Sequence, residues 1–333
     1  MKELNVVGID IGGTKCAVTY GKVADDGGIE IVDKSRFDTT SVDDTLYNLL
    51  ETTSNVLQKH SLNVGNTSAI GISCGGPLDS KKGVIISPPN LPGWDNIPVV
   101  AYFEKRFGIQ TAVQNDANAC ALAEWKFGAA RGYNNVIFMT FGTGMGAGLI
   151  LDGRLYAGTN DNAGEVGHIR LEKTGPVGYG KAGSFEGFCS GNGIAQLARV
   201  KVMEKLQMGE PVSFCKNLNE AELLTAKSVA EAAEAGDALA KDIYGECARY
   251  LGKALSFCID VLNPEIIVLG SIYCRVQNLI EPTMQEVIDR EALIHARRVC
   301  KIVPAGLGES IGDYAALSVA VNIINDYPQG VLL

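Results

Sequence analysis

The segment Asp10-Ile-Gly-Gly-Thr-Lys15 carries residue types that suit phosphate chemistry. It places a carboxylate at the end of a β-branched run, followed by two glycines, a hydroxyl and an ammonium group. The backbone N–H groups of a tight turn, with the Thr14 hydroxyl and the Lys15 ammonium, can bind phosphate oxygens. Asp10 can supply an oxygen ligand for a phosphate-bound Mg²⁺. An ordinary hairpin turn fits the same residues, so this segment alone leaves both interpretations open.

A second glycine string, Gly142-Thr-Gly-Met-Gly-Ala-Gly148, matches the loose dinucleotide fingerprint G-x-G-x-x-G/A. That fingerprint must open a helix directly after a strand. Here Leu149-Ile-Leu151 predicts another strand, and Asp152-Gly153 predicts a type I′ hairpin turn. We therefore exclude a Rossmann nucleotide site and predict a second glycine turn between strands. The Walker A pattern is also missing from the sequence.

Two further polar pairs lie beside these turns. Asn115-Asp116 opens a predicted helix, so Asp116 is either a helix cap or a general base that the helix N-terminus keeps ionised. Glu165-Val-Gly-His168 places a carboxylate and an imidazole three residues apart between glycines. Both groups hydrogen-bond hydroxyls, which suits a polyol clamp, although a polar surface loop has the same composition.

The elements that must position these residues alternate between strands and helices, which predicts an α/β fold. The pattern strand, glycine turn, strand occurs twice, about 130 residues apart, which suggests a duplicated domain with a cleft between the copies. The clearest predicted elements are strands at 4–9, 16–20, 68–73, 136–140, 265–269 and 299–303, and helices at 43–60, 116–127, 193–207, 225–235, 237–262 and 312–324.

Composition narrows the class of protein. A length of 333 residues favours two domains, and 46% hydrophobic with 20% charged residues is typical of a globular chain. The net charge of −9 argues against a broad surface for nucleic acid or anionic membrane. Nine cysteines without a C-x-x-C pair favour reduced thiols and a cytoplasmic location. No apolar run of membrane-spanning length and no signal peptide is recognised.

In combination the motifs are specific. Asp10–Lys15, Asn115–Asn118, Gly142–Gly146, Ala163–His168 and Asn263–Gly270 resemble the ROK family of sugar kinases and sugar-responsive repressors in order and spacing. The resemblance covers the whole chain and implies the actin-like, hexokinase-type fold, with two α/β domains around a central cleft. We expect an N-terminal domain over residues 1–117, a larger domain over 118–311, and a C-terminal helix at about 312–333 that packs back on the first.

The resemblance also implies roles for individual residues. Asp116 corresponds to the catalytic base that accepts the proton of the sugar 6-hydroxyl. The sugar-contacting positions are Asn90, Asn115, Asp116, Glu165, His168 and Glu186. The positions that match the family's binding residues for the nucleotide phosphates and Mg²⁺ are Asp10, Gly12, Gly13, Thr14, Lys15, Gly142, Thr143, Gly144 and Gly146. Gly270 matches part of the family's nucleoside pocket.

One departure concerns a zinc-binding stretch that the family usually carries after the clamp histidine. Its three cysteine positions are Val177, Tyr179 and Ser184 in this chain, whereas the framework glycines and Glu186 remain. Because a structural zinc needs about four ligands, we predict that no zinc binds. We expect packing around Tyr179 to order the loop instead.

The resulting hypothesis is an ATP-dependent and Mg²⁺-dependent hexose kinase that makes a sugar 6-phosphate, with glucose as the first choice of substrate. N-acetylmannosamine, fructose, allose and N-acetylglucosamine remain open, as does polyphosphate as the donor. A sugar-binding regulator is the alternative class. We disfavour it because the first motif starts at residue 10, ahead of which a helix-turn-helix does not fit. The family resemblance implies a homodimer, and we expect neither nucleic acid nor a membrane as a partner.

Overall fold

The computed structural model describes residues 4–24 and 27–326. Its strands are β1 (Leu4–Ile11), β2 (Lys15–Val23), β3 (Ile29–Asp38), β4 (Thr67–Cys74), β5 (Leu78–Asp79), β6 (Val84–Ile85), β7 (Thr111–Asn115), β8 (Val136–Phe141), β9 (Met145–Leu151), β10 (Arg154–Leu155), β11 (Val177–Gly178), β12 (Lys181–Ala182), β13 (Ile266–Leu269) and β14 (Lys301–Pro304). Its α-helices are α1 (Val42–Lys59), α2 (Val99–Phe107), α3 (Asp116–Phe127), α4 (Phe185–Phe188), α5 (Gly191–Gln207), α6 (Leu218–Glu222), α7 (Ala226–Glu234), α8 (Ala238–Leu262), α9 (Ile272–Glu291), α10 (Ile294–Arg297) and α11 (Ile311–Asp326).

The chain divides into two compact units. The first unit comprises the described residues up to Tyr133, the segment Gly148–Ala163 and the described residues from Gly306 onward. The second comprises Asn134–Ala147 and Gly164–Ala305. The chain therefore passes from one unit to the other four times.

The first unit is built on a five-stranded sheet of order β3-β2-β1-β4-β7. Strands β1, β4 and β7 run parallel, and β2 and β3 are antiparallel additions beside β1. Ile11 pairs with Cys74, which pairs with Asn115, so the carboxyl ends of the three parallel strands lie in one row. Ligands commonly bind at this edge of an open α/β sheet.

Helices cover both faces of this sheet. Successive side chains of β1 point to opposite faces of the sheet. Val7 and Ile9 lie in a core shared with α1 and α2, whereas Val6 packs with Leu317 of α11. A side chain at Gly71 of β4 would place its Cβ 2.2 Å from the carbonyl oxygen of Ala316. Helix α11 therefore lies directly on the sheet. The predicted helix at about 312–333 corresponds to α11, and its residues 327–333 lie outside the described residues.

In the second unit, β8, β13 and β14 pair in parallel within a sheet of order β10-β9-β8-β13-β14. Each sheet thus contains three parallel strands, with the hairpin partner of the first strand beside it. This shared order confirms the α/β class. It also fits the repeat that the two glycine turns indicated.

Most predicted elements are confirmed within one to three residues, and their caps explain why. Asp152 and Gly153 have φ of 51° and 72°, the signature of the predicted type I′ turn. Asp237 caps α8 by accepting the Ala240 N–H at 2.9 Å, and Asn263 ends it in the left-handed conformation. The sequence analysis missed β3 and α2. Strand β3 is an edge strand with charged residues among its apolar positions.

Two properties concern the described part of the chain as a whole. None of its helices is long and apolar enough to cross a membrane. All nine cysteines are free thiols, and six of them are buried.

Candidate functional site

Asp10 lies at the carboxyl edge of the first sheet, where its charge is unfavourable. It pairs with Ser73 on β4, which pairs with Gln114 on β7, two residues before Asp116. Burial, followed by the neighbouring carboxylates of Asp116 and Asp313, raises the pKa of Asp10 from 3.8 to about 6. Lys34 and Arg36 on β3 oppose this rise. A carboxylate in this setting favours a cation beside it.

The first glycine turn links β1 to β2 with its carbonyl oxygens engaged. Thr39 donates its hydroxyl to the Gly12 carbonyl at 2.6 Å, and its N–H donates to the Thr14 carbonyl at 2.9 Å. Within the described residues, the N–H groups of Gly13 and Thr14 have no hydrogen-bond acceptor. Thr14 and Lys15 are exposed. Such free N–H groups in a turn can bind phosphate oxygens.

The amide side chains of Asn90 and Asn115 lie against glycine backbone at the same edge. A Cβ on Gly13 would lie 2.4 Å from the carbonyl oxygen of Asn90. A Cβ on Gly75 would lie 3.2 Å from Asn90 Oδ1, and one on Gly76 would lie 2.9 Å from Asn115 Nδ2. Glycine is required at position 13, where the Asn90 backbone comes closest, and both amides lie beside the turn after β4.

Asp116 is the first residue of α3, and Asn115 is its cap. The Ala117 N–H is shared between Asn115 Oδ1 at 2.9 Å and Asp116 Oδ1 at 2.8 Å. Oδ2 of Asp116 has no hydrogen-bond donor within the described residues. Its side chain is open to solvent on one side, and desolvation by the surrounding protein raises the pKa of its carboxyl. The α3 N-terminus and this free oxygen give a carboxylate that can accept a proton.

The second glycine turn, between β8 and β9, belongs to the second unit. The Gly142 N–H donates to the Gly144 carbonyl at 3.1 Å, and the Gly142 carbonyl accepts the Gly191 N–H at 2.8 Å. The Gly146 N–H donates to the Thr140 hydroxyl at 2.9 Å. Thr143, at the tip, is exposed. Hydrogen bonds at Gly142 and Gly146 thus hold both ends of this turn, and its tip faces solvent.

Glu165 precedes a short 3₁₀ turn over Val166–His168, His168 is the last residue of that turn, and both side chains are exposed. The turn packs directly against the start of β9, since a Cβ on Gly167 would lie 2.1 Å from the Met145 carbonyl oxygen. The predicted clamp and the second glycine turn are thus neighbours within the second unit.

The segment after the clamp is a β-hairpin, β11–β12, with Tyr179 and Gly180 at its tip. Their φ values of 42° and 74° define a type I′ turn. The expectation that packing around Tyr179 orders this loop is wrong, because its side chain is 76% exposed. Gln196 instead donates to the Val177 carbonyl and accepts its N–H, both at 2.9 Å. Polar contacts to α5 therefore order the loop.

The three positions that replace the family cysteines have other surroundings. Val177 is half exposed, the Tyr179 ring lies edge-on 6.3 Å from the His168 ring, and the Ser184 hydroxyl caps α4 by accepting the Gly187 N–H at 3.1 Å. Across residues 4–24 and 27–326, no three His, Cys, Asp or Glu side chains are grouped to hold a metal ion.

Glu186, on α4, contacts the second glycine turn directly. Its Oε2 accepts the Met145 N–H at 3.0 Å, and a Cβ on Gly144 would lie 2.8 Å from the same oxygen. Sequence analysis placed Glu186 only near the sugar. The structure therefore adds a contact for which the sequence carries no signal.

A cavity of about 330 Å³ opens beside α9, which starts two residues after Gly270. Ile272 lines this cavity, and its Cδ1 lies 3.4 Å from a Cβ built on Gly191. Since the Gly191 N–H donates to the Gly142 carbonyl, the cavity adjoins the second glycine turn. The volume falls in the range of small-molecule sites. Sequence analysis identified Gly270 but missed the polar lining residues Lys227, Glu231, Glu234, Tyr244 and Arg275.

Two further residue groups of the first unit escaped the sequence analysis. Lys34 forms an ion pair with Asp313 in the first turn of α11, close to Asp10. Glu124, on α3, is fully buried and accepts the N–H groups of Ala129 at 2.8 Å and of Gly306 and Leu307 at 3.0 Å each. Glu124 therefore joins α3 to the segment that leads into α11.

The family follows from the comparisons. The ROK family model matches residues 6–322, and the chain belongs to this family. The glucokinase of Halalkalibacterium halodurans is 34% identical over 275 residues, which is 81% of each chain. The glucokinase of Thermotoga maritima is 31% identical over 87% of this chain and 89% of its own.

Solved structures give the same fold. A ROK hexokinase from Thermus thermophilus is 26% identical, with a TM-score of 0.77 over 97% of this chain and 100% of its own. A ROK glucokinase from Streptomyces griseus, in complex with glucose and AMPPNP, is 27% identical, with a TM-score of 0.70 over 95% of this chain and 99% of its own. A ROK transcriptional regulator homologous to Escherichia coli Mlc is 26% identical, with a TM-score of 0.81 over 96% of this chain and 78% of its own. The predicted actin-like, hexokinase-type fold is confirmed.

Proposed function

We propose that this ROK protein is a sugar kinase that transfers the γ-phosphoryl group of ATP to the 6-hydroxyl of a hexose. The observation that carries the proposal is Asp116, an exposed carboxylate at the start of α3 with one oxygen free and a raised pKa. A base whose pKa rises toward the working pH is more effective in proton transfer. The glucokinase relatives support the same class of reaction.

The chain's residues fit the nucleotide and its Mg²⁺. The free N–H groups of Gly13 and Thr14 form a cradle for phosphate oxygens. The Asp10 carboxyl, with its pKa raised to about 6, is the residue that would hold the cation, because Mg²⁺ usually binds one or two carboxylates plus phosphates and water. The cation neutralises charge on the phosphate oxygens when bound. Lys15 and Thr143 are the exposed side chains of the two turns.

In the proposed reaction Asp116 Oδ2 accepts the proton of the 6-hydroxyl as that oxygen forms a bond to the γ-phosphorus and the bond to ADP breaks. The helix α3 N-terminus favours the ionised form of Asp116 and opposes the desolvation that raises its pKa. Asn90, Asn115, Glu165, His168 and Glu186 would orient the sugar hydroxyls. Orientation of the reacting oxygen supplies a large share of such rate enhancements.

The cavity beside α9 is our proposed nucleoside pocket, because it adjoins the second glycine turn through Ile272 and Gly191. Glucose is the proposed substrate. N-acetylmannosamine, N-acetylglucosamine, fructose and allose are the alternatives, since a 2-acetamido group differs from a hydroxyl chiefly in the room that it needs. Polyphosphate is the alternative donor. A homodimer is proposed from the family resemblance, and size-exclusion chromatography with light scattering measures it.

The likeness to the ROK transcriptional regulator favours a second candidate, a sugar-binding regulator. It differs from the kinase in one observable property. A regulator binds sugar without consuming ATP.

The experiment measures ADP release with Mg-ATP and glucose, N-acetylmannosamine, N-acetylglucosamine, fructose, mannose or allose. Asp116→Asn should lower turnover by about 10²–10⁴-fold while calorimetry still detects sugar binding. Asp43→Asn is the matched control, because Asp43 is also an exposed aspartate in the first turn of a helix of this unit. Near-normal turnover of Asp116→Asn removes Asp116 as the base. Sugar binding without turnover in the wild type favours the regulator.

A further inference from the structure

Glu186 lies where three segments of the second unit meet. Its Oε2 accepts the Met145 N–H at 3.0 Å and lies 2.8 Å from a Cβ built on Gly144, in the second glycine turn. Its own Cβ lies 3.4 Å from a Cβ built on Gly167, in the clamp, and 2.8 Å from one built on Gly178, in the hairpin. Glu186 thus contacts all three segments, the second glycine turn through its carboxylate and the other two through its Cβ, and the glycines at positions 144 and 178 leave room for it.

The two oxygens of this carboxylate have different surroundings. Oε2 is engaged by backbone, whereas Oε1 has no hydrogen-bond donor within the described residues. The side chain is half-buried, so part of it is open to solvent. An ionised carboxylate only accepts hydrogen bonds, and Oε1 therefore calls for an O–H or N–H donor. A sugar hydroxyl is such a donor, and the exposed Glu165 and His168 lie on the neighbouring clamp turn.

We propose that Glu186 couples sugar binding to nucleotide binding: a sugar hydroxyl donates to Oε1 and fixes the carboxylate, whose Oε2 then holds the Met145 N–H and the second glycine turn in the shape that binds phosphate. This inference rests on the proposed function, since it needs a sugar and a nucleotide in one protein. Glu186 acts on the nucleotide through the turn, so toward the nucleotide it is a positioning residue.

The coupling must be reciprocal. If sugar strengthens nucleotide binding by some factor, the nucleotide strengthens sugar binding by the same factor. Couplings in proteins typically change affinity by about 5–150-fold. If Glu186 only stabilises the turn, or only binds sugar, Glu186→Gln leaves the coupling factor at its wild-type value.

The test measures the dissociation constant of AMPPNP, with Mg²⁺, by calorimetry in the absence and presence of saturating glucose, or of whichever hexose the turnover panel identifies. In the wild type, sugar should tighten AMPPNP binding at least about fivefold. Glu186→Gln separates the two oxygens, because its amide oxygen still accepts the Met145 N–H while its amide nitrogen donates instead of accepting. In Glu186→Gln the coupling factor should fall to about 1, with AMPPNP affinity in the absence of sugar unchanged.

Hydrogen exchange in the ligand-free protein gives a second readout that does not depend on sugar. Glu186→Ala should speed exchange of the Met145 amide and weaken AMPPNP binding, whereas Glu186→Gln should leave both as in the wild type. Glu172→Gln is the matched control, because Glu172 is a half-exposed glutamate of the same unit whose side chain pairs with Lys253. It should keep the wild-type coupling.

The outcomes separate the two proposals. If a sugar supports turnover, and if it still tightens AMPPNP binding in Glu186→Gln, the role of Glu186 is overturned. The proposed kinase activity then stands. Unchanged Met145 exchange in Glu186→Ala likewise overturns the role of Glu186. Absence of turnover and of sugar binding across the panel overturns the proposed function, and the coupling falls with it.

Discussion

Asp10→Asn should stabilise the ligand-free protein at neutral pH while removing its proposed Mg²⁺ ligand. The pKa of Asp10 rises from 3.8 to about 6 because of burial and then of the carboxylates of Asp116 and Asp313. A carboxylate with a raised folded-state pKa costs stability once both states are ionised. Asparagine has nearly the same shape and carries no charge, so it removes that cost.

The magnitude follows from the two pKa values. A carboxyl whose pKa rises from 3.8 to about 6 loses about 3 kcal/mol of stability above pH 6. Solvent reaches part of the Asp10 side chain, and screening reduces the value toward about 1 kcal/mol. Between pH 4 and pH 6 the folded state binds more protons than the unfolded state, so this contribution to stability falls as pH rises. Below about pH 4 both states are protonated and the contribution disappears.

The assay is urea unfolding of the wild type and Asp10→Asn at a series of pH values from 4 to 7.5, without nucleotide. The pH dependence of the difference matters more than its size at one pH, because any packing cost of asparagine is constant with pH. Asp43→Asn serves as the control for the same exchange at an exposed aspartate of this unit. A stability difference that is constant from pH 4 to 7.5, or that favours the wild type as pH rises, refutes the reasoning.

Three further outcomes are expected. Glu124→Gln should lower the free energy of unfolding by about 2–3 kcal/mol, because an amide N–H₂ replaces one of the two oxygens that accept buried N–H groups. Urea unfolding should show a lower midpoint. An unchanged midpoint would show that these contacts add little stability. Tyr179→Asn should raise the melting temperature, since an exposed tyrosine at φ 42° costs about 1–2 kcal/mol that asparagine avoids; a fall would mean that the ring makes stabilising contacts. Elemental analysis of protein purified without chelators should find no stoichiometric zinc, and one zinc per chain would contradict the loss of the site at Val177 and Ser184.

The sequence predicted those features that local chemistry determines. Asp152-Gly153 admits few conformations other than a type I′ turn, and Asp237 and Asn263 are the residues that helix ends prefer. The motifs from Asp10 to Gly270 were sufficient to identify the family, because five weak patterns in a fixed order are specific together. These features depend on a few neighbouring residues.

Features that depend on distant residues escaped prediction. Glu124 looks like one more polar residue on a helix, and only the fold brings the Gly306 and Leu307 N–H groups to it. Strand β3 lacks a clean alternation because it lies at a sheet edge, where water tolerates charge. The error over Tyr179 has the same origin, since the loop is held by Gln196 of α5, 19 residues after its partner Val177.

Three carboxylates of the first unit are of two kinds with opposite consequences. Glu124 is buried with its oxygens engaged by three backbone N–H groups, so it contributes stability, and its full burial closes it to a ligand. Asp10 and Asp116 carry raised pKa values, and Oδ2 of Asp116 has no donor within the described residues. Ligand-free protein thus bears a cost that a cation at Asp10 or a proton at Asp116 would relieve. Such a cost is hard to explain in a carboxylate that only holds the fold together, and it is expected of groups that meet charge during a reaction.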